Sequence, residues 1–126
     1  MCIFDINAWT DERGTTAVEF AIVGPIFIAL VVGILYLGLC LLLVSSLHFA
    51  VEDAARCASV RTTVCKDGAT TQSFAKSRYF GPGSPTFAGP IAAACGNNLV
   101  SGSITYVAQL GLTKFSIPIS ASACFP

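Results

Sequence analysis

The sequence predicts an α+β protein: a long N-terminal helix that crosses a membrane, followed by a small disulfide-bonded domain with a short helix and an antiparallel hairpin or small sheet. Three observations predict it. Ala21 to Leu47, AIVGPIFIALVVGILYLGLCLLLVSSL, is 27 residues without one charge. Four cysteines, Cys57, Cys65, Cys95 and Cys124, fall in the stretch after it. Two runs near the C-terminus, Leu99–Gln109 and Leu112–Ala123, are rich in β-branched and aromatic residues and partly alternate, as paired strands do. The composition excludes other classes. Only 11% of the 126 residues are charged and 54% are apolar, which is wrong for a freely soluble domain. Seven basic residues cancel seven acidic ones, so no basic field exists to draw in nucleic acid.

Along the chain, residues 1–14 form a polar leader, residues 15–61 a helix whose span covers about 21–47, and residues 62–126 the outer domain. At about 1.5 Å per residue the uncharged run reaches roughly 40 Å, longer than a hydrocarbon core of about 30 Å. A cleaved secretory signal does not fit it. Asp5, Asp11 and Glu12 precede the run against Arg13 alone, the apolar core is nearly twice too long, and His48 stands where a small residue is needed.

The helix is expected to continue through LHFAVEDAARCASV, with Ala50, Ala54 and Ala58 on one side and Glu52 four residues before Arg56, the favourable order for an ion pair. It should stop near Arg61, where β-branched Thr62, Thr63 and Val64 meet the turn Lys66-Asp67-Gly68. Thr70–Phe80 reads as a short amphipathic helix with Phe74 beside Arg78. Gly81–Pro90, with three glycines and three prolines, reads as a loop without a regular element, and is where an exposed binding segment would be sought. A short helical turn is expected at Ile91–Ala94. Gln109-Leu110-Gly111 should turn the hairpin, and Pro118 confines its second strand to a sheet edge.

Four cysteines in so small a domain suggest two disulfides and an oxidising compartment. Metal binding is the rival reading, but no C-x-x-C pair is present. Three connectivities are possible. On one continuous helix Cys57 and Cys65 would stand about 12 Å apart, too far to bridge, so a 57–65 bond requires the helix to end first. The turn signals supply that end, which favours 57–65 with 95–124. Cys40, inside the span, reads as a small apolar residue.

The most specific pattern lies at the leader boundary. Gly14 is followed five residues later by Glu19, then Phe20 and the apolar run, with Pro25 directly after Gly24. A carboxylate on an apolar helix is costly without a partner or an interfacial position. Cleavage after Gly14 would create an α-amino group on Thr15, a cation suited to that carboxylate. Pro25 removes a helical hydrogen bond and should kink the helix.

This arrangement resembles a type IV prepilin signal. RGTTAVEFAIVGPIFIALVVGILYLG followed by AVEDAARCASV resembles, more narrowly, the TadE-like family, minor pseudopilins of the tight-adherence (Tad, or Flp) pilus; Gly14, Ala17, Val18, Glu19, Phe20, Ala21, Pro25, Ala54, Ala55 and Arg56 carry the likeness.

The resemblance implies an assembly subunit that helps initiate or form a pilus for surface adherence. A prepilin peptidase would cut between Gly14 and Thr15, and Glu19 would pair with an N-terminal amine as subunits pack. The implied partners are the membrane, that peptidase, other pilin or pseudopilin subunits and the assembly platform. The implied location is the bacterial inner membrane, with the C-terminal domain in the periplasm or carried out on the pilus. Arg56, Arg61 and Lys66 after the span outnumber Arg13 before it, a bias that alone would keep the domain inside; the cysteines and the leader pattern outweigh it.

The alternative is an unprocessed single-pass envelope protein, an anchor or adaptor in a secretion machine. No enzyme, cofactor, metal or small-molecule substrate is expected. His48 is the single histidine and lies at the membrane boundary, and neither GxSxG, HExxH nor a Walker A string occurs.

Overall fold

The computed structural model describes residues 12–91, 95–110 and 113–125. The chain divides into two compact units, one ending at Leu37 and one running from Gly38. Helix α1 covers Glu12–Val60 and runs through Pro25 without interruption. In the first unit its apolar side chains, from Val18 to Leu35, are exposed.

The second unit is built on the helix from Gly38 onward. Arg61 N–H closes the last helical turn on the Cys57 carbonyl at 2.8 Å, and the following turn brings Cys65 N–H to the Arg61 carbonyl at 3.0 Å. The reversal sets the Cα atoms of Cys57 and Cys65 5.9 Å apart, and the two are joined as a disulfide. Helix termination at the β-branched run is thus what permits the bond. Cys124 is also disulfide-bonded. The Cys95 half of the favoured 95–124 pair lies outside the described side chains.

Removing the 57–65 bond by the double substitution Cys57→Ser, Cys65→Ser should cost about 2.5 kcal/mol, from the chain entropy of so short a loop. For a domain of this size, that lowers Tm by about 10 °C or more. Thermal unfolding of the full chain in detergent tests it, and an unchanged Tm would show that the turn is held without the bond.

Helix α2 covers Gly68–Arg78, beginning two residues earlier than the sequence suggests. The reason is Asp67, which belongs to the helix start as well as to the turn. Its carboxylate accepts the Thr70 backbone N–H at 2.8 Å, while its own N–H donates to Thr70 Oγ1 at 3.1 Å. Donors left unpaired in a first helical turn are satisfied in this way. The Thr70 backbone bond is also what holds the Asp67 carboxyl below the ordinary aspartate value. Arg78, in the last turn, pairs with Asp53 of α1 at 3.0 Å and covers the Phe74 ring at 4.9 Å. This contact, rather than the expected Glu52–Arg56 pair, is the ion pair found among the described residues. Both partners are partly solvated, so it contributes about 1 kcal/mol at most.

Three antiparallel strands complete the unit in the order β1-β2-β3: β1 Thr86–Ile91, β2 Leu99–Leu110 and β3 Thr113–Cys124. Strand β1 corrects the expectation that Gly81–Pro90 holds no regular element. An edge strand has to pair on one side only. Thr86 to Ala88 do so against Ser101–Ser103, and Pro90 falls where the register shifts between Ala88 and Ile91. The expected helical turn at Ile91–Ala94 lies largely outside the described residues, while a 3₁₀ turn occupies Cys95–Asn97.

Strands β2 and β3 pair without a slip from Leu99↔Cys124 to Leu110↔Thr113. Gln109 and Leu110, expected in the turn, therefore belong to the ladder, and Gly111 lies outside the described residues. Pro118 is on an edge strand, as its missing N–H requires.

One apolar core joins Leu43, Leu47, Ala50, Val51, Ala54 and Ala55 of α1 to Ala75 of α2 and to Phe87, Val100, Ile104, Ile119 and Ala121 of the sheet. Alanines on α1 and Gly102 on β2 allow a close approach; a Cβ on Gly102 would lie 2.9 Å from the Phe87 ring and 3.0 Å from Val51 Cγ2.

Candidate functional site

The residues singled out at the leader boundary are all helical. Gly14, Thr15, Glu19 and Phe20 are exposed on α1 and Gly24 is half-buried, all in the first unit. The Gly14–Thr15 bond lies within the opening turns of the helix, and nothing stands within 4 Å of where a Gly14 side chain would project. A helix start is the part of a helix most readily opened, since its first N–H groups have no intrahelical acceptor.

Glu19 and Phe20 follow at the interval the pattern requires, and Phe20 reaches one turn along the helix toward Gly24, its ring carbon 3.9 Å from the place of a Gly24 Cβ. No cation faces Glu19 among the described residues. The carboxylate is exposed on an otherwise apolar stretch of helix.

From Gly14 onward the helix is long and apolar enough to cross a membrane, and its most apolar stretch is almost wholly uncovered by the rest of the chain. Exposed large apolar residues run from Val18 to Leu42, after which Leu43, Ser46 and Leu47 are buried in the second unit. The 27-residue uncharged run therefore has two consecutive uses. Its first part presents apolar side chains outward, and its last turns supply the core of the domain.

Ser46 is the residue in this run that sequence reasoning passed over. Fully buried, its Oγ accepts the Phe80 backbone N–H at 2.9 Å, fixing the chain that leaves α2 to the flank of α1. The Ser45-Ser46 pair, polar inside an otherwise apolar run, was the available signal. Ser45 returns its hydroxyl to the Leu41 carbonyl at 2.8 Å, the usual way for a hydroxyl to be satisfied on a helix.

Elsewhere the second unit offers less chemistry. Cys40 is a free, half-buried thiol beside the core. His48 is exposed on α1. An open cavity of about 530 Å³ is bordered by Phe49, Glu52, Asp53 and Arg56 of α1 and by the end of β3. Asp53 there is already engaged by Arg78. No cluster of three or more potential metal ligands occurs among the described residues. Tyr79 donates its hydroxyl to the Pro82 carbonyl at 3.0 Å, and burial pushes its phenol above the ordinary value.

Residues 14–56 match the model of a family described as TadE-like protein. The matched segment opens on Gly14, includes Glu19, Phe20 and Pro25, and closes on Arg56. No curated protein and no solved structure is significantly similar to the chain.

Proposed function

We propose, on the premise that residues 14–56 form a TadE-like segment, that this protein is a minor pseudopilin of a Tad pilus, matured by a prepilin peptidase that cuts after Gly14. The observation that carries the reading is the coincidence of that family match with an outward-facing Glu19 at the head of an exposed apolar helix. The role is structural rather than catalytic. Before assembly α1 holds the subunit in the inner membrane; during assembly the same apolar surface packs against helices of neighbouring subunits, so one set of side chains is covered first by lipid and then by protein.

The α-amino group released on Thr15 compensates Glu19, on the same helix or on the next subunit, and gives the stack a register that apolar packing alone does not. The disulfide-bearing domain lies in the periplasm, where Cys57 and Cys65 are oxidised.

Intact-mass measurement on protein from host membranes, with and without the peptidase, tests this. In peptidase-containing cells the chain should begin at Thr15, shorter by 14 residues, and in deficient cells it should retain Met1. Glu19→Ala should still be cut yet fail to enter the assembled pilus fraction. An uncut chain in both strains would instead make the protein an unprocessed envelope anchor.

A further inference from the structure

Within the second unit, α1 is enclosed on one side only. Leu43, Leu47, Ala50 and Ala54 enter the core, while the opposite side keeps a bare stripe. The stripe follows a seven-residue repeat. Gly38, Ser45 and Glu52 are exposed at intervals of seven, and Leu42, Phe49 and Arg56, each four residues further on, are exposed as well. At 3.6 residues per turn these positions fall within about 80° of the helix circumference.

A repeat of this spacing is the seam of a two-helix coiled coil, where both sets of positions face a second helix. The first set is small in the apolar part of the run. Nothing stands within 4 Å of where a Gly38 side chain would project, and Ser45 turns its hydroxyl back to the Leu41 carbonyl of its own helix. Both allow a close approach of backbones. Leu42 (42%) and Phe49 (52%) supply exposed apolar layers.

Glu52 and Arg56 indicate the partner. They are spaced for a pair within α1 and do not form one; the ion pair among the described residues is Arg78–Asp53. Both are therefore left on the seam, with opposite charges one turn apart, and the stripe is complementary to itself. In a parallel coiled coil a residue of the first set stands beside the next member of the second set on the partner helix, which brings Glu52 of each copy to Arg56 of the other. Two-fold symmetry makes both pairs at once. A partner charged with one sign would leave either the carboxylate or the guanidinium unmatched.

We propose that this stripe seats a second copy of the chain, its α1 running in the same direction, with Leu42 and Phe49 packed across the seam and two crossed Glu52–Arg56 pairs fixing the register. The direction follows from copies crossing the membrane the same way, so the pairing rests on that reading of α1 and not on cleavage after Gly14.

The test uses the full chain carrying Cys2→Ser and Cys40→Ala, reconstituted in phosphatidylcholine/phosphatidylglycerol vesicles. With Ser45→Cys added, oxidation by copper phenanthroline should trap a covalent dimer, because position 45 meets its own counterpart. Ser73→Cys, exposed on α2, should stay monomeric. Glu52→Arg and Arg56→Glu should each weaken pairing about tenfold, read as energy transfer between copies labelled at Ser73→Cys, and E52R/R56E together should restore it to within about twofold. Both side chains are exposed, so the single variants should keep the parent Tm.

If the double reversal pairs as weakly as the single ones, the charges do not meet across two copies, the stripe belongs to a different protein, and the proposal is overturned. A Ser45→Cys chain that floats with the vesicles yet stays monomeric overturns it too, and leaves the anchor and the peptidase reading standing, since intact mass tests the latter separately. A chain that does not float loses the anchor and the pairing together.

Discussion

Leu47→Asp should unfold the C-terminal domain. Leu47 is the last residue of the uncharged run and is 0% exposed, enclosed by the helix–sheet core. Truncating such a leucine costs about 2–5 kcal/mol, and a carboxylate left there without a partner adds several more, whether it ionises or takes up a proton. The sum approaches the whole stability of a small domain, about 5–15 kcal/mol. Limited proteolysis of the full chain in detergent should show residues beyond about 62 becoming labile. Leu47→Met, which nearly conserves volume, should remain resistant at a cost below about 1.5 kcal/mol. Were Leu47 instead a lipid-facing residue, the aspartate would impair membrane insertion and leave the domain's Tm unchanged.

The second large effect is expected at Gly89→Ala. Gly89 has φ of +127°, and a Cβ there would meet the Leu99 carbonyl oxygen at 2.6 Å and Val100 Cα at 3.0 Å. Both are backbone atoms of the neighbouring strand, so no side-chain rotation relieves the overlap. The substitution forces β1 away from β2 at the site of its register shift, at a cost of about 2–4 kcal/mol. Gly96→Ala is the internal comparison. Its φ of +65° is also positive, yet nothing stands within 4 Å, so only the backbone preference of about 1 kcal/mol is lost. Equal Tm values for the two variants would refute the steric account.

Much of this arrangement was legible in the sequence because the signals were local. The β-branched run after Val60 announced the end of α1, and that end made the 57–65 bond geometrically possible. Alternation and Pro118 marked β3 as an edge strand. Other features depended on partners distant in the chain. Strand β1 was hidden because glycine and proline composition describes backbone preference, whereas the strand exists by virtue of Phe87 entering the core and of β2 offering a ladder. The start of α2 was missed because the Asp67 and Thr70 cap lay inside what also reads as a turn.

Hydropathy was silent about where the apolar run changes its task, since a leucine facing lipid and one facing a protein core have the same side chain. At the leader boundary, by contrast, Gly14, Glu19 and Phe20 were visible at once: spacing along one helix needs no tertiary information.

Both outer strands of the sheet contain a proline, Pro90 in β1 and Pro118 in β3. A sheet with clean margins, held at high local concentration among identical neighbours, is a template on which further strands can accrete without limit. Here each margin is interrupted by a residue that has no N–H to offer. Crowding many copies together therefore leaves lateral growth of the sheet blocked at both of its margins.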